Sequence, residues 1–593
     1  MSLLEIDGLT IAYPGERQPV VDHLSFSMSP GESLGLVGES GSGKTQTALG
    51  IMGLLPPHAR VQGKVLFDGF DLLGQDLKTL NRYRARRIAM VFQDPQQALN
   101  PYLTIGAQLT RVLKEHGIAR GRNAEKRALE LLTRVGLRDA DRQYRAWPHQ
   151  LSGGMRQRAT IALALSCEPE LLIADEPTTA LDVTVQAQVL RLLASLREEK
   201  GIALLLITHD LGVIAGNSER MLVLHRGGVI EQGATRAVFR NPAEAITKAM
   251  LAAAASVEDT PPAPPAASGA APVLSVDDLD VTFRDRAGPG WRAGSGGHAV
   301  RAVSFSLGPG ETVAVVGESG SGKTTVARAI VGLVGDGRGS VTLSGEPLAA
   351  RVRSRSPATR RELQMVFQHP VASLDPAMRV ERIIAEPIKL HESELGRAAR
   401  DRRIVTVLER VGLDSSLLQR FPHELSGGQA QRVALARALV LEPKVLICDE
   451  AVAALDGTVR RAVLALLKAE QQRSGLSLVF ITHDLAVVRQ ISHRVLVMYM
   501  GRVCEFAGNE TLFRRPRHPY TRALLDSVPI ADPDRPPRLA PVVGEVSSGI
   551  PPGCAFHPRC AFAVARCKVE RPEPERVDGS QVACHRAREI DLR

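Results

Sequence analysis

The sequence predicts a duplicated α/β domain, in which two copies of one open, mostly parallel sheet stand in tandem before a short cysteine-rich tail. The chain has 593 residues, and this is too long for one core, because single hydrophobic cores stop growing at roughly 250–300 residues. The octapeptide that begins at Gly38 recurs unchanged at Gly317. Apolar runs that end in Asp-Glu also occur at the same place in both halves, as buried parallel strands would.

The composition is that of an ordinary globular protein. Hydrophobic residues make up 44% and charged residues 23%, which excludes a mainly disordered chain. No apolar run approaches the roughly 18–20 residues needed to cross a bilayer, and Glu5 interrupts any secretory signal. We therefore expect a cytoplasmic chain. The net charge of +10 is weak evidence for an anionic partner, and the 4% aromatic content gives no sign of base-stacking platforms.

Further repeated motifs indicate where each domain begins and ends. Three of them recur in the same order at a nearly constant offset: Phe92-Gln93 and Phe367-Gln368, Leu151-Ser152-Gly153-Gly154 and Leu425-Ser426-Gly427-Gly428, and Thr208-His209-Asp210 and Thr482-His483-Asp484. A Pro/Ala-rich segment between the copies cannot form a core and marks a linker. We place the first domain at residues 1–255, the linker at 256–272, the second domain at 273–528 and a separate Cys-rich module at 529–593.

The repeated octapeptide fits the phosphate-binding pattern G-x-x-x-x-G-K-[ST], with an apolar run before it and a helix-like segment after it. Its glycines let backbone N–H groups close around a triphosphate at a helix N-terminus. Lys44 and Lys323 are expected to reach the β- and γ-phosphates, and Thr45 and Thr324 to bind Mg²⁺. The predicted ATP-binding residues of these loops are Gly38, Glu39, Ser40, Gly41, Ser42, Gly43, Lys44 and Thr45, and Gly317, Glu318, Ser319, Gly320, Ser321, Gly322, Lys323 and Thr324.

Two acids follow each of the later apolar runs. A buried parallel strand that delivers carboxylates at its C-terminal end suits the crevice of an open α/β sheet. The first acid, Asp175 or Asp449, is expected to hold Mg²⁺ through water, and the second, Glu176 or Glu450, to polarise the attacking water as a general base. At the ends of two further apolar strands, we expect two histidines to sense the γ-phosphate: His209 and His483.

Together these motifs resemble the nucleotide-binding domains of ABC transporters, for which the Leu-Ser-Gly-Gly element is highly specific. The resemblance covers roughly residues 1–255 and 273–530. It implies a helical subdomain and an antiparallel β subdomain in each copy. It also implies that two such domains pack head to tail and enclose two ATP molecules, each between the P-loop of one domain and the Leu-Ser-Gly-Gly signature of the other.

The resemblance also implies roles for individual residues. Gln93 and Gln368 would couple Mg²⁺ and water to the helical subdomain, and Tyr13 and Phe283 would stack on adenine. Turns that link the two sites would be carried by Asp182 and Asp456. The signature residues are Ser426, Gly427, Gly428 and Gln429 for the ATP on Lys44, and Ser152, Gly153, Gly154 and Met155 for the ATP on Lys323. The Mg²⁺ ligands would be Thr45, Gln93, Asp175, Thr324, Gln368 and Asp449.

Two further segments resemble the peptide and nickel importer branch. They are Phe92-Gln93-Asp94-Pro95 and His518-Pro519-Tyr520-Thr521, although the second copy has His369 for the usual acid and the first copy reads Asn241-Pro242-Ala243-Glu244 in place of the latter segment. The implied function is that of an ATPase subunit, peripheral at the cytoplasmic face of the bacterial inner membrane. Its implied partners are two integral-membrane permeases and, through them, an extracytoplasmic substrate-binding protein. The substrate stays open among dipeptides, oligopeptides, glutathione-like peptides and nickel complexes.

A competing interpretation is a soluble tandem ABC ATPase that acts on ribosomes or nucleic acid. Ribosome-acting relatives use a long, charged helical linker, whereas this linker is rich in Pro and Ala. DNA-repair relatives contain a long coiled coil, and no sustained heptad supports one here. We therefore expect no nucleic-acid partner. Both catalytic sets are complete, although Glu450 is followed by Ala451 where Glu176 is followed by Pro177. We therefore expect two working ATP sites, and the sequence leaves open whether they are equally active.

The cysteines fall into two groups. Three are scattered in apolar surroundings and are expected to be small buried residues: Cys167, Cys448 and Cys504. The other four lie together near the C-terminus: Cys554, Cys560, Cys567 and Cys584. Because a cytosolic chain keeps its thiols reduced, four thiolates suit a metal. The run Gly553–Cys560 resembles the cysteine motif of peptide-importer ATPases, which in some members binds a 4Fe–4S cluster. We predict such a cluster, with zinc or an unmetallated packing motif as alternatives, and a structural or docking role.

Overall fold

The computed structural model describes residues 2–39, 41–178, 181–255, 270–283, 297–335, 337–368, 370–452, 455, 457–535 and 549–592. The chain divides into two compact units. The first unit comprises Met1–Ser256 and Asp526–Val546, and the second comprises Val257–Leu525 and Ser547–Arg593.

The first unit contains two sheets. Its strands are β1 (Leu4–Ala12), β2 (Val21–Met28), β3 (Ser33–Gly38), β4 (Arg60–Phe67), β5 (Phe70–Asp71), β6 (Ile88–Val91), β7 (Leu171–Asp175), β8 (Ala203–Thr208), β9 (Arg220–His225) and β10 (Gly228–Ala234). One sheet is antiparallel, with the order β2-β1-β4-β5; the other has the order β10-β9-β3-β8-β7-β6 and is parallel except for β10. Strands β3, β7 and β8 are buried along their whole length, which explains their continuous apolar sequences.

The helices of the first unit cover the larger sheet and form a separate layer. They are α1 (Lys44–Ile51), α2 (Leu77–Tyr83), α3 (Pro95–Ala98), α4 (Ile105–Glu115), α5 (Gly121–Arg134), α6 (Ala140–Arg145), α7 (Gly153–Leu165), α8 (Val183–Lys200), α9 (Leu211–Asn217), α10 (Thr235–Arg240) and α11 (Ala245–Ala255). Helices α4 to α7 pack on one another. The Thr104 side chain caps α4 by accepting a hydrogen bond from the Ala107 N–H, and the helix buries Ile105, Leu109 and Leu113 on one face.

Each face of the larger sheet has its own core. Leu171 and Ile173 of β7 pack with the antiparallel sheet and α1, whereas Leu172 and Ala174 pack with the helical layer. Successive side chains of a strand point to opposite faces, so one five-residue strand connects both cores. Its C-terminal end is thereby held from two sides.

The second unit repeats this architecture. Its strands are β11 (Leu274–Thr282), β12 (His298–Leu307), β13 (Thr312–Val316), β14 (Gly337–Leu343), β15 (Glu346–Pro347), β16 (Leu363–Val366), β17 (Val445–Asp449), β18 (Ser477–Ile481), β19 (Arg494–Tyr499) and β20 (Arg502–Gly508). Its helices are α12 (Lys323–Ile330), α13 (Pro357–Glu362), α14 (Pro370–Ser373), α15 (Val380–His391), α16 (Arg397–Arg410), α17 (Gly427–Leu439), α18 (Gly457–Ser474), α19 (Leu485–Ile491), α20 (Asn509–Arg514) and α21 (Pro519–Asp526).

The Cys-rich tail extends the larger sheet of the second unit. It contains α22 (Ala565–Val569), β21 (Glu575–Val577) and β22 (Ser580–Val582), and the sheet order is β16-β17-β18-β13-β19-β20-β22-β21. Strand β22 pairs antiparallel with β20, and Val577, Val582 and Ala587 form a small core of their own. In the first unit, by contrast, β10 ends the described sheet.

The predicted α/β class is confirmed in both units, with mixed sheets because β10 and β20 run antiparallel to their neighbours. Residues 256–269 of the predicted linker lie outside the described residues. Within the part of the chain that the structure describes, no helix has the length and apolar character of a membrane span.

Candidate active sites

The first phosphate-binding loop connects β3 to α1. Gly43 caps α1 with a left-handed φ of 100°, and a Cβ atom there would lie 2.5 Å from the Val20 carbonyl oxygen. Only glycine therefore fits this position. The loop leaves the N-terminus of α1 open, where backbone N–H groups and the helix dipole favour an anion. Gly322 has the same place and φ of 99° before α12.

Both loop lysines lie in a cage of backbone oxygens. Lys44 Nζ donates to the carbonyl oxygens of Gly38 and Glu39, each at 2.8 Å. Lys323 Nζ donates to those of Gly317 at 2.7 Å and Glu318 at 2.9 Å. Burial lowers the pKa of Lys44, and the negative charges of Glu176, Asp175 and Glu39 oppose that shift. The loop thus holds the ammonium group in place before any phosphate arrives.

Two aspartates lie at the C-terminal ends of the central strands. Asp175 is 1% exposed, and its Oδ1 has no hydrogen-bond partner among the described residues. Burial raises the pKa of Asp175 to about 6, against the opposing effect of a hydrogen bond with Thr45. In the second copy, Thr324 donates to Asp449 Oδ1 at 3.1 Å, and burial again raises the carboxyl pKa. A buried, unpartnered carboxylate oxygen beside a threonine hydroxyl fits Mg²⁺, which prefers oxygen ligands.

The next residue in each copy, Glu176 or Glu450, adopts a left-handed backbone conformation. The φ angles are 45° and 50°. The N–H of Glu176 donates to the Ile207 carbonyl at 2.8 Å, and that of Glu450 to the Ile481 carbonyl at 2.9 Å. Non-glycine residues adopt this region only where the surroundings enforce it, and such strain clusters at functional sites. The same backbone conformation therefore recurs at the residue after the aspartate in both copies.

A glutamine and a histidine hold each of these carboxylates. Gln93 Nε2 donates to Glu176 Oε2 at 2.8 Å, and His209 Nδ1 lies 3.0 Å from Glu176 Oε1. The second copy repeats the arrangement: Gln368 Nε2 lies 2.5 Å from Glu450 Oε2, and His483 Nδ1 lies 3.3 Å from Glu450 Oε1. The structure therefore brings together the predicted Gln, Glu and His side chains, although they come from three separate segments.

The environment keeps Glu450 ionised. Burial alone would raise its pKa, but the hydrogen bond and charge of His483, the charge of Lys323 and the hydrogen bond from Gln368 together hold the pKa below its usual value. A carboxylate must be deprotonated to accept a proton from water. The arrangement can therefore position a water molecule and accept its proton near neutral pH.

The Leu-Ser-Gly-Gly elements form the N-termini of α7 and α17. Ser152 and Gly153 are exposed, as are Ser426 and Gly427, so each helix end is open to solvent within its unit. The Ser152 Oγ accepts from the Met155 N–H at 3.2 Å. In the second copy, Ser426 and Gln429 cap each other reciprocally. Both helix ends have the backbone donors that an anion requires.

The two predicted adenine-stacking residues have different surroundings. Tyr13 donates from its hydroxyl to Gln46 Oε1 at 2.5 Å, and its ring centre lies 5.8 Å from that of His58. Burial raises the pKa of Tyr13. Phe283 is 49% exposed at the end of the described segment 270–283. The roles of both remain predictions.

Several predicted residues lie outside the described residues, namely Ser40, His369 and Asp456. Asp182 is buried and lies directly before α8, at its N-cap position. The sequence motifs contain two aspartates to which no role was assigned, Asp210 and Asp484, and their side chains cap α9 and α19 by accepting from backbone N–H groups. Their position just before a helix is an N-cap signal that could have identified them. No sequence signal pointed to Arg559, which donates to Glu318, the second residue of the second phosphate-binding loop.

The four tail cysteines line one cavity, together with residues that include His518, His557 and His585. Burial raises the pKa of the Cys560 thiol to about 11 and that of Cys584 to about 12. Among the described residues, no group of three or more His, Cys, Asp or Glu side chains is placed to hold a metal ion. The three other cysteines are buried, as predicted: Cys167, Cys448 and Cys504.

Comparisons with known proteins identify the family of each part of the chain. The ABC transporter family matches residues 21–179 and 300–453, and the family described as oligopeptide/dipeptide transporter, C-terminal region, matches residues 504–567. The glutathione import ATP-binding protein GsiA of Pectobacterium atrosepticum is 42% identical over 90% of this chain and 90% of that protein. The peptidoglycan transport ATP-binding protein YejF of Agrobacterium fabrum is 44% identical over 88% of this chain and 96% of that protein.

Among solved structures, a dimeric post-hydrolysis state of the ATP-binding cassette MJ0796 bound to ADP and Pi has a TM-score of 0.36 and 31% identity, covering 39% of this chain and 99% of that one. The family match spans both halves of this chain, and each half contains a loop lysine, two acids and a Gln–Glu–His arrangement. The chain belongs to the ABC transporter family and is an ABC-type ATPase, with two ABC transporter domains followed by the C-terminal region of oligopeptide/dipeptide transporters.

Proposed function

We propose that this chain is the ATP-hydrolysing subunit of an importer for di- or oligopeptides or related substrates. The observation that carries the proposal is the duplicated site, in which Gln93, Glu176 and His209, and their counterparts in the second copy, meet beside a caged loop lysine. The match of the C-terminal region to peptide transporters supports the substrate class. Relatives named for glutathione and for peptidoglycan transport leave the individual substrate open.

The chemistry follows from the positions of these side chains. Glu176 and Glu450 act as general bases that polarise the attacking water, and the hydrogen bonds from Gln93 and Gln368 fix one oxygen of each carboxylate. Asp175 with Thr45, and Asp449 with Thr324, are the residues that would hold Mg²⁺. When bound, Mg²⁺ neutralises the charge that develops on the β- and γ-phosphates.

Each ATP would also contact the signature of the opposite domain. In this proposal, Ser426, Gly427 and Gly428, with Gln429, complete the ATP site of Lys44. Ser152, Gly153 and Gly154, with Met155, complete that of Lys323. The exposed N-termini of α7 and α17 support this assignment, because the first backbone N–H groups of a helix have no partner within the helix and can donate to a γ-phosphate. Tyr13 and Phe283 stack on adenine.

The proposed partners are two integral-membrane permeases and, through them, an extracytoplasmic substrate-binding protein. The chain would act as a peripheral protein at the cytoplasmic face of the inner membrane. No nucleic acid is required. The names of the relatives as import ATP-binding proteins support this assembly over a soluble ATPase on ribosomes or nucleic acid.

Reconstitution tests the proposal. With its permeases in vesicles, hydrolysis should rise when the substrate-loaded binding protein is added, and the double variant Glu176→Gln/Glu450→Gln should show no such rise. Stimulation of the isolated chain by ribosomes or DNA, with no response to permeases and binding protein, would contradict the importer assignment.

We also propose a 4Fe–4S cluster on Cys554, Cys560, Cys567 and Cys584. The four thiols line one cavity, and a tail with so small a core of its own gains stability from a metal site. The cysteine spacing lacks the close C-x₂-C pairs typical of structural zinc sites, and four thiolates also suit an iron–sulfur cluster.

Protein purified without oxygen should then contain iron and sulfide and absorb broadly near about 400 nm. Cys560→Ser should lose that colour, and Cys167→Ala, which removes a buried thiol of the first unit, should keep it. About one zinc ion per chain without iron would show that the cysteines form a zinc site and not a cluster. No metal in freshly prepared protein would leave only a packing role for these cysteines.

A further inference from the structure

The Cys-rich tail contacts the second phosphate-binding loop through a buried ion pair. Arg559 Nη1 donates to Glu318 Oε2 at 2.6 Å, and Arg559 Nη2 donates to Glu318 Oε1 at 2.8 Å. Both side chains are 4% exposed. Arg559 lies between the cysteines of the tail motif, and Glu318 is the second residue of the loop. This bidentate geometry is the strongest form of an arginine–carboxylate contact.

Two tyrosines complete this contact. The Tyr520 hydroxyl accepts a hydrogen bond from the Glu318 backbone N–H at 2.9 Å, and Arg559 Nη1 also donates to the Tyr499 hydroxyl at 3.2 Å. The rings of Tyr499 and Tyr520 pack on each other and on Phe556 of the tail. Glu318 is therefore held through both its side chain and its backbone. Tyr520 belongs to the His-Pro-Tyr-Thr segment that the sequence singled out without assigning a role.

The first loop has different surroundings. Glu39 is exposed, and within the described part of the chain no ion pair reaches it. Ile246 stands at the position that corresponds to Tyr520, at the same offset that relates Glu176 to Glu450. The arginine and the tyrosine hydroxyl that hold the second loop are thus features of the second unit. The contact is an addition to a loop whose octapeptide is identical in both copies.

Glu318 also contacts the lysine of the second phosphate-binding loop. The Glu318 carbonyl oxygen accepts from Lys323 Nζ at 2.9 Å, so one residue connects the tail arginine to the loop lysine. A carboxylate in a loop that receives a triphosphate would repel it, and a buried carboxylate without its partner is strongly unfavourable. Arg559 neutralises the Glu318 carboxylate. It also fixes the orientation of Glu318, whose carbonyl oxygen accepts from Lys323 Nζ.

We propose that Arg559 is a positioning residue of the second ATP site, through which the folded Cys-rich tail keeps the loop from Gly317 to Thr324 competent to bind ATP. The inference rests on the proposed binding of ATP at Lys323. Arg559 ends a short 3₁₀ helix, His557–Arg559, directly before Cys560. On the N-terminal side of Arg559, the backbone N–H of Cys554 donates to the Cys567 carbonyl oxygen at 2.9 Å. Loosening the cysteines should therefore weaken the second site and leave the first unchanged.

Binding measurements on single-site backgrounds test this proposal. In full-length protein with Lys44→Ala, only the second site binds, and in protein with Lys323→Ala, only the first. Titration with Mg²⁺-ATP should show that Arg559→Met lowers the affinity of the second site by about tenfold or more, as the loss of a charged hydrogen bond predicts. The affinity of the first site should stay within about twofold. Arg559→Lys should fall between, because lysine retains the charge and lacks the planar fork.

The matched control is Arg566→Met. Arg566 is another tail arginine with a bidentate carboxylate, Glu570, at 2.6 and 2.7 Å, but that pair is exposed. Among the described residues, no hydrogen bond or ion pair joins Arg566 to either phosphate-binding loop. It should leave the affinity of both sites unchanged. Equal losses at both sites with Arg559→Met, or no loss at the second site in a folded protein, would overturn the positioning role.

A double-mutant cycle covers the case in which Arg559→Met only disturbs folding. In a Glu318→Gln background the carboxylate is gone, so adding Arg559→Met should cost the second site far less affinity than it does with Glu318 present. The same additional loss in both backgrounds would overturn the proposal. Failure of the Lys44→Ala protein to bind ATP even with Arg559 intact would instead count against the proposed ATP site itself.

Discussion

The two halves of the chain have the same hydrolytic side chains in different settings. Glu176 and Glu450 have nearly the same left-handed φ, and each is held by a glutamine and a histidine. The first phosphate-binding loop leaves Glu39 exposed, whereas Glu318 in the second is buried against Arg559 of the tail. The sheet of the second unit is also extended by two tail strands.

This difference shows where a duplicated ATPase can diverge. The atoms that meet water and phosphate are tightly constrained, because small displacements of catalytic groups are costly. The residues that support them are free to change, since several arrangements can hold one loop. Any difference in ATP binding or hydrolysis between the two sites is therefore expected to come from their surroundings. These are the tail, the side chains that cap the signature helices α7 and α17, and the residue after each glutamate.

The largest expected effect tests whether the two bases are equivalent. Glu176→Gln and Glu450→Gln should each slow hydrolysis at their own site by about 10²–10⁴-fold and leave ATP binding intact, because each removes a proton acceptor and no phosphate ligand. Single-turnover hydrolysis in the Lys323→Ala and Lys44→Ala backgrounds separates the sites. Parental turnover in the double glutamine variant would show that neither residue is the base.

A second, smaller effect concerns the buried aspartates. The pKa of Asp175 is raised to about 6 in the folded chain from 3.8, so the folded state retains a proton that the unfolded state has lost. The stability of the ligand-free first unit should therefore fall as the pH rises through about 4 to 6, by up to about 3 kcal/mol. Asp175→Asn should remove this dependence, as denaturant unfolding at several pH values would show.

The second copy sharpens this test. Burial raises the pKa of Asp449 as well, so Asp449→Asn should change the pH dependence of the second unit in the same direction. Protons should also compete with Mg²⁺ at Asp175 below about pH 6, and the affinity of the first site for Mg²⁺-ATP should fall there. An unchanged pH profile of unfolding in both asparagine variants would contradict the raised pKa values.

The smallest expected effect concerns the signature helices. Ser426 and Gln429 cap α17 reciprocally, whereas in α7 the corresponding pair is Ser152 with Met155. Met155→Gln should complete the reciprocal cap and stabilise the first unit by about 0.5–1 kcal/mol. Thermal unfolding would measure this gain, with Gln429→Met as the opposite change in the second unit. A loss of stability with Met155→Gln would show that the packing of the Met155 side chain contributes more than the reciprocal cap.

The local part of the fold was predictable from sequence because its signals are local. The octapeptide specifies a loop and a helix start, and the apolar runs that end in Asp-Glu specify buried strands whose ends carry the acids. The duplicated α/β class and the ABC family followed from these patterns. The roles of the single site residues stay predictions, although the structure places Gln93, Glu176 and His209 within hydrogen-bond distance.

The contacts that distinguish the two halves were not predictable in this way. Arg559 and Glu318 are 241 residues apart, and no spacing or periodicity connects them. The pairing of β22 with β20 and the left-handed backbone of Glu176 and Glu450 likewise depend on neighbours that only folding brings close. Short, contiguous motifs are enough to identify the family, the two copies and the chemical groups of each site. Packing is what brings the tail arginine to the second loop, because a buried ion pair forms only where both partners are shielded from water.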